Sequence, residues 1–232
     1  MSVRLVSYNI RKALGLDMKR APGRILDIVN RLDGDIVLLQ EADRRFGNRP
    51  AALPHDLVEK GSDYTVVPLA TNDVSLGWHG NAVLVRKGLG VLGTGRIELP
   101  GLEPRGAVLA TVETGDGPLT VVGAHLGLLR SYRRRQVRAI LSSLGEDPRD
   151  GAIIAGDFNE WSETEGLGTL ARSHDLITPG KTFHARRPMA ALDRIALAPG
   201  YELRDTGVAE TNATRIASDH LPIWADIATK AP

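Results

Sequence analysis

The side chains best equipped for acid–base or metal chemistry in this sequence fall at the ends of apolar, strand-like runs. Asn9 closes Val6-Ser7-Tyr8, Glu41 closes Val37-Leu38-Leu39-Gln40, and His125 closes Val121-Val122-Gly123-Ala124. Asp157 and Asn159 follow Ile153-Ile154-Ala155-Gly156. Asp193 opens Arg194-Ile195-Ala196-Leu197, while Asp219 and His220 open Leu221-Pro222-Ile223-Trp224. Singly, each has an ordinary explanation, since Asn and Asp form turns and a lone Glu or His at a strand end is usually solvated or structural. Together they recur where a rigid scaffold can hold side chains in one cleft. Carboxylate and amide oxygens suit a hard cation such as Mg²⁺, with Mn²⁺ or Ca²⁺ as alternatives. A cation, a carboxylate base and a His are what hydrolysis of a phosphoester requires.

The elements that must position these groups are mostly strands. β-prone runs cover Val3–Tyr8, Ile36–Leu39, Tyr64–Leu69, Ala82–Arg86, Gly90–Ile97, Ala107–Thr114, Leu119–Ala124, Ala152–Ala155, Arg194–Leu197 and Ile223–Ile227. Apolar residues at i, i+3, i+4 and i+7 (Ile25, Ile28, Val29, Leu32) predict a helix over 22–33, with Pro22 in its first turn. A second helix is expected from Ser131, as N-cap, to Leu144, with Gly145 closing it, and a third, weaker one over 164–172. Short connections between 82–86 and 90–97, and between 107–114 and 119–124, predict antiparallel hairpins. The pattern implies an α/β fold of two mixed sheets packed face to face with helices outside.

Composition narrows the class. A chain of 232 residues without repeats or linker-like tracts is expected to be one domain spanning 1–232. Lys+Arg number 29 against 28 Asp+Glu, so no global charge marks a polyanion partner. Cysteine is absent, which rules out disulfides, thiolate zinc sites and cysteine nucleophiles. No apolar run approaches the roughly 18 residues of a membrane span, and the N-terminus lacks a signal-peptide core. A cytoplasmic monomer without stable membrane insertion is the expectation.

These residues, in order, resemble a known family. Ser7-Tyr8-Asn9-Ile10-Arg11, Leu39-Gln40-Glu41, Gly80-Asn81-Ala82, His125-Leu126, Gly156-Asp157-Phe158-Asn159, Leu192-Asp193-Arg194-Ile195 and Ser218-Asp219-His220-Leu221-Pro222 are similar to the motifs of the endonuclease/exonuclease/phosphatase superfamily. The resemblance implies a four-layer α/β sandwich and a metal-dependent phosphoester hydrolase. It makes Glu41 the principal metal ligand, with Asn9 beside it and Asp219 close to the ion. It makes His220 the catalytic His bonded to Asp193, and Asp157 the residue that orients or deprotonates water. Asn159 and His125 then hold the phosphoryl oxygens, and Asn81 supports the substrate site. The general-base role stays divided between Asp157 and the Asp193–His220 pair. Arg11 stands where the abasic-site nucleases carry an acid, which argues against that DNA-repair assignment.

Substrate-setting features are fewer. Five Arg lie within Arg130–Arg138, and Arg134 falls on the apolar line of its helix. It is either a phosphate contact or, the favoured reading, one half of an ion pair. Trp78-His79 and Trp161 either line the cleft mouth or cap the core, and His55, His174 and His184 have no evident partner. The expected substrate is a small phosphodiester or lipid headgroup. Nucleic acid is the alternative, a phosphomonoesterase ranks behind it, and a non-catalytic phosphate-binding module is the rival from another class.

Overall fold

The computed structural model describes residues 2–145, 151–162 and 165–230. Its strands are β1 (Val3–Asn9), β2 (Ile36–Gln40), β3 (Tyr64–Val66), β4 (Ala82–Arg86), β5 (Val91–Leu99), β6 (Arg105–Thr114), β7 (Gly117–His125), β8 (Ile153–Asp157), β9 (Asp175–Ile177), β10 (Asp193–Leu197), β11 (Tyr201–Val208) and β12 (Ile223–Thr229). The helices are α1 (Pro22–Leu32), α2 (His55–Gly61), α3 (Arg130–Ser143) and α4 (Thr214–Ala217). The strands make two six-stranded sheets, ordered β11-β12-β1-β2-β4-β3 and β5-β6-β7-β8-β10-β9. Each sheet holds one parallel pair at its centre, β1–β2 in the first and β7–β8 in the second.

Alternation along the central strands explains the layering. In β1 and β2, Leu5, Ile36 and Leu38 point into a core shared by both sheets, where they meet Val108, Val121, Ile153 and Ile195. Val6, Tyr8, Val37 and Leu39 point the other way and pack under Ile25, Ile28 and Val29 of α1. On the far side, Val122, Ile154 and Ala196 pack under Val137 and Ile140 of α3. Strands buried on both faces read as unbroken apolar runs, as these do. The result is the expected four layers, helix–sheet–sheet–helix. No helix among the described residues is long and apolar enough to cross a membrane.

Several expectations are corrected. The hairpin joining 82–86 to 90–97 does not form: β4 is already flanked by β2 and β3, and β5 crosses to the second sheet to pair with β6. The β6–β7 hairpin does form, with Thr114 opposite Gly117. α3 begins at Arg130, so Ser131 lies inside it and is no N-cap; Leu129 holds that place without a side-chain bond. The helix expected over 164–172 begins outside the described residues, and its described part is a single 3₁₀ turn, Leu170–Arg172. Gly166 at φ +90° interrupts a helical path there. α2, β9, β11 and α4 were not anticipated.

The parallel pairs decide where chemistry can sit, because parallel strands present their carboxyl ends along one edge. Asn9 and Gln40 end β1 and β2 in register, and His125 ends β7 opposite Asp157 at the end of β8. β10 runs antiparallel to β8, so Asp193 begins it opposite Asp157. One glycine enforces this edge. Gly156 has φ +149°, and a Cβ there would lie 1.9 Å from the Ala124 carbonyl oxygen. Backbone cannot yield as a side-chain tip can, so Gly156→Ala is expected to cost roughly 2–4 kcal/mol. A fall in the urea midpoint with an unchanged m-value is the check.

Candidate active site

Asp157 is the hub of the cleft. It is buried, and its Oδ2 accepts a bond from Asn9 Nδ2 at 3.0 Å, tying the ends of the two sheets together. Its Oδ1 accepts from the backbone N–H of Asn159 at 3.0 Å. Two imidazoles face Oδ2 as well, His125 Nε2 at 3.4 Å and His220 Nε2 at 3.5 Å. Behind His220, Nδ1 lies 2.8 Å from Asp193 Oδ2, which also accepts from the Thr182 hydroxyl at 2.5 Å. Asn159 Nδ2 donates to the Leu126 carbonyl at 2.8 Å, joining the loops after β7 and β8.

The two histidines differ in charge. Burial opposes an imidazolium at His220, but the carboxylates of Asp193 and Asp157 outweigh it and push the pKa up to about 10. At His125, burial dominates and Arg105, His220 and Lys12 add to it, overriding Asp157 and bringing the pKa down to about 3. At neutral pH one ring is therefore cationic and the other neutral.

Glu41 follows β2 at φ +53° and turns its carboxylate into the same cleft, where Lys12 Nζ bonds Oε2 and Arg45 lies 3.7 Å from Oε1. Asp219 pairs with Arg11 Nε at 3.5 Å. Asn9 Oδ1 accepts from the Arg11 N–H at 3.1 Å, and Ser218 Oγ donates to the Asn9 carbonyl at 2.7 Å. Glu41, Asn9 and Asp219 line one cleft with oxygen ligand atoms, the donor chemistry of a hard divalent cation. Asp157, Asp193 and His220 also place ligand-type atoms within 4.8 Å of one another. That trio fits a proton-holding triad better, because Asp193 Oδ2 already accepts two bonds and His220 is held protonated.

The cleft, about 550 Å³, is lined by Asn9, Glu41, His125, Asp157, Asn159, Asp219 and His220. Asp193 stands behind His220 rather than on the wall. Asn81 is buried outside the lining, with Nδ2 donating to the Gly106 carbonyl at 2.9 Å. Arg134 is not brought to the cleft. It is exposed on α3 and borders a separate depression with Arg138 and Arg172. The buried arginine of that helix is Arg133, whose stripe continues through Gln136, Val137 and Ile140. Arg133 Nη2 bonds the fully buried Glu160 at 2.8 Å, and its Nη1 bonds the Gly127 and Leu128 carbonyls. The ion pair expected of Arg134 thus belongs to its neighbour. Trp161 is exposed and edge-on to Phe183, whose ring stands 5.1 Å from His220. Trp78 packs against the central core. Of the histidines without an expected partner, His55 bonds the Ser75 carbonyl and His174 the Ala152 carbonyl, both structural contacts. His79 lines the cleft, one of the two readings open for Trp78-His79, whereas Lys12, Arg49 and Arg105 line it unanticipated, because basic residues on loops read as solvated surface.

The model of the Endonuclease/Exonuclease/phosphatase family matches residues 6–220. The chain belongs to this family. Its members hydrolyse phosphoester bonds, and the present chain carries that family's hydrolase architecture. No curated protein sequence matches it. Among solved structures, an endonuclease/exonuclease/phosphatase from Beutenbergia cavernae superposes with a TM-score of 0.76 at 22% identity, over 99% of this chain and 72% of its own. D. rerio TDP2 complexed with a single-strand DNA product gives 0.75 at 19% identity, over 98% and 99%. The human Nocturnin catalytic domain with bound sulfate gives 0.74 at 20%, over 99% and 95%. At these identities the likeness establishes the fold.

Two outcomes follow from the site's electrostatics. His220 holds its proton more tightly folded than unfolded, where its ordinary value is near 6.5. Its contribution to stability is therefore complete below about pH 6.5 and is lost as pH rises toward 10. Asp193→Asn is expected to flatten that slope in urea melts between pH 6.5 and 10 and to lower the His220 NMR titration midpoint. Arg133→Ala, which strands Glu160 without its buried partner, is expected to cost about 3–5 kcal/mol. Arg134→Ala is expected to stay within about 0.5 kcal/mol, so parallel thermal melts of the two variants test the assignment.

Proposed function

We propose that this protein is a divalent-cation-dependent phosphodiesterase acting on a small phosphodiester or a lipid headgroup, with Mg²⁺ the expected cation. The observation that carries the reading is the paired arrangement at Asp157: a neutral and a charged imidazole face one carboxylate in a cleft that Glu41, Asn9 and Asp219 also line. Glu41, Asn9 and Asp219 would hold the cation, which would supply charge neutralisation at the phosphate. The remaining roles belong to the chain. Asp157 orients the attacking water and accepts its proton. His220, held as an imidazolium by Asp193, donates to the phosphoryl group as negative charge builds there. Neutral His125 and the free amide hydrogen of Asn159 donate to non-bridging oxygens. The P–O bond to the leaving oxygen breaks as the water oxygen bonds to phosphorus, and the departing alkoxide takes its proton from solvent.

This arrangement favours Asp157 over His220 as the base, because a group already protonated at pH 7 cannot accept another proton. The cleft volume falls within the range typical of small-molecule sites, which supports a small substrate over a long polymer. One feature favours the nuclease reading instead: exposed Phe46 sits among Arg44, Arg45 and Arg49 on a loop beside the cleft, and bases stack on such rings.

The test is turnover of bis-p-nitrophenyl phosphate beside p-nitrophenyl phosphate, with added Mg²⁺ and with EDTA. The diester is expected to be hydrolysed in preference, EDTA to abolish turnover, and Glu41→Ala to lower kcat/KM at least about 10³-fold, an energy of about 4 kcal/mol. Preference for the monoester overturns the assignment. DNA cleavage exceeding small-diester turnover moves it to the nuclease reading.

A further inference from the structure

Beyond Glu41, the part of the cleft wall built by the loops after β2 and before β4 carries Arg49 and His79, which the hydrolytic roles above leave unused. The other lysine and arginine side chains that line the cleft face carboxylates: Lys12 and Arg45 face Glu41, and Arg105 faces Glu103 at 2.7 Å. Arg49 has no carboxylate partner among the described residues. Asp43 feels its charge, but that buried carboxylate is engaged by backbone N–H groups, Leu76 N at 2.6 Å and those of Gly77 and Gly80. Arg49 Nη1 meets His79 Nδ1 at 3.3 Å, and its Nε is buried without an acceptor.

Both residues are rigidly mounted. Arg49 sits at φ +54° on a loop closed by the bridge between Asp43 and Ala51, and its carbonyl accepts from the Ser75 hydroxyl at 2.8 Å. Ala51 N–H donates to the Val74 carbonyl at 2.7 Å, and Arg44 N–H to the Pro50 carbonyl at 2.9 Å. His79 sits at φ +48° in a turn closed by reciprocal bonds between Trp78 and Asn81, its ring edge-on to Trp78. The Pro104 carbonyl bonds the imidazole, and Arg49 meets its other nitrogen, so Nδ1 accepts and the ring carries no charge to offset the guanidinium. Apart from the contact with His79, no acceptor among the described residues takes an Arg49 side-chain N–H, and the residue lines the cleft.

We propose that Arg49, oriented by His79, is a binding subsite for a second phosphate group on the substrate. The inference rests on the phosphodiesterase reading and names its substrate class more closely: a phosphodiester that carries a further phosphate. A planar guanidinium with free N–H groups matches two phosphate oxygens at once, and the neutral imidazole behind it fixes the plane without cancelling the charge. The cleft, at about 550 Å³, has room for such a group beside the scissile diester.

The test uses p-nitrophenyl phosphodiesters of alkyl alcohols of two to five carbons, ending in methyl, carboxylate or phosphate. At one arm length or more, the terminal phosphate is expected to lower KM at least about tenfold against methyl, and by more than carboxylate does. Arg49→Gln is expected to abolish that ratio and Arg49→Lys to keep part of it. A ratio of two substrates on one preparation is insensitive to how much of the variant is folded. Calorimetric titration with alkanediol bisphosphates and monophosphates gives the same comparison without turnover. If the methyl diester is not hydrolysed, the phosphodiesterase reading fails while the titration still decides the subsite. No advantage for phosphate, an equal gain from carboxylate, or a ratio retained in Arg49→Gln overturns the proposal.

Discussion

One carboxylate holds the working end of this molecule together. Asp157 belongs to the second sheet, yet its Oδ2 accepts from Asn9 at the end of the first, so the two sheets are joined where their central strands finish. A buried carboxylate demands such partners, because charge removed from water must be met by donors or cations. Asn9, the Asn159 N–H, His125 and His220 answer that demand from four separate segments. Moving any one of them exposes the same charge to the others, so cleft geometry and fold are one constraint.

The loops beyond the strands are fixed by a second buried charge. Glu160 follows the Asp157–Asn159 turn and is held by Arg133 and Arg130 of α3. Burial works against its charge, and these arginines with the Ser162 N–H outweigh that effect and hold its pKa below the usual range. Arg133 also grips the Gly127 and Leu128 carbonyls, and Gln136 Oε1 accepts from the Gly127 N–H at 2.8 Å. The turn after β7, which presents His125, and the turn after β8, which presents Asp157, therefore share one helix as their backstop. Side chains that must act within tenths of an ångström need such support.

Much of this was legible from residue types alone. Polar groups at the ends of largely apolar runs marked Asn9, Glu41, His125, Asp157, Asn159, Asp193, Asp219 and His220. The reason is physical: strands buried on both faces leave their ends as the place where chemistry can be displayed. What was illegible depended on three-dimensional partners. A four-residue link after β4 looks like a hairpin turn whether the next strand pairs beside it or crosses to another sheet. Arg133 and Arg134 are adjacent and identical in type, and only the position of Glu160 decides which turns inward. β9 and β11 lie at sheet edges, where one neighbour and partial exposure weaken the alternation that betrays a strand. Lys12, Arg49 and Arg105 carry no local signal, since a loop cation facing a cleft and one facing water are written alike.

The contrast between His125 and His220 explains how one carboxylate serves two imidazoles. Both rings are almost wholly buried and both lie near 3.5 Å from Asp157 Oδ2, so burial and that shared charge cannot separate them. Asp193 does. It meets only His220, on the ring nitrogen pointing away from the cleft, and so adds a second negative charge to one ring without crowding the substrate side. Arg105 and Lys12 lie toward His125 and push it the other way. The cation in the triad is thereby fixed at His220, facing the cleft through Nε2, while Asp157 stays between a charged and a neutral donor. Two like rings at like distances acquire opposite protonation because the groups behind them differ. The charge on His220 is set by a carboxylate that stands behind the cleft wall, and the neutrality of His125 by burial with the cations Arg105 and Lys12 on that wall.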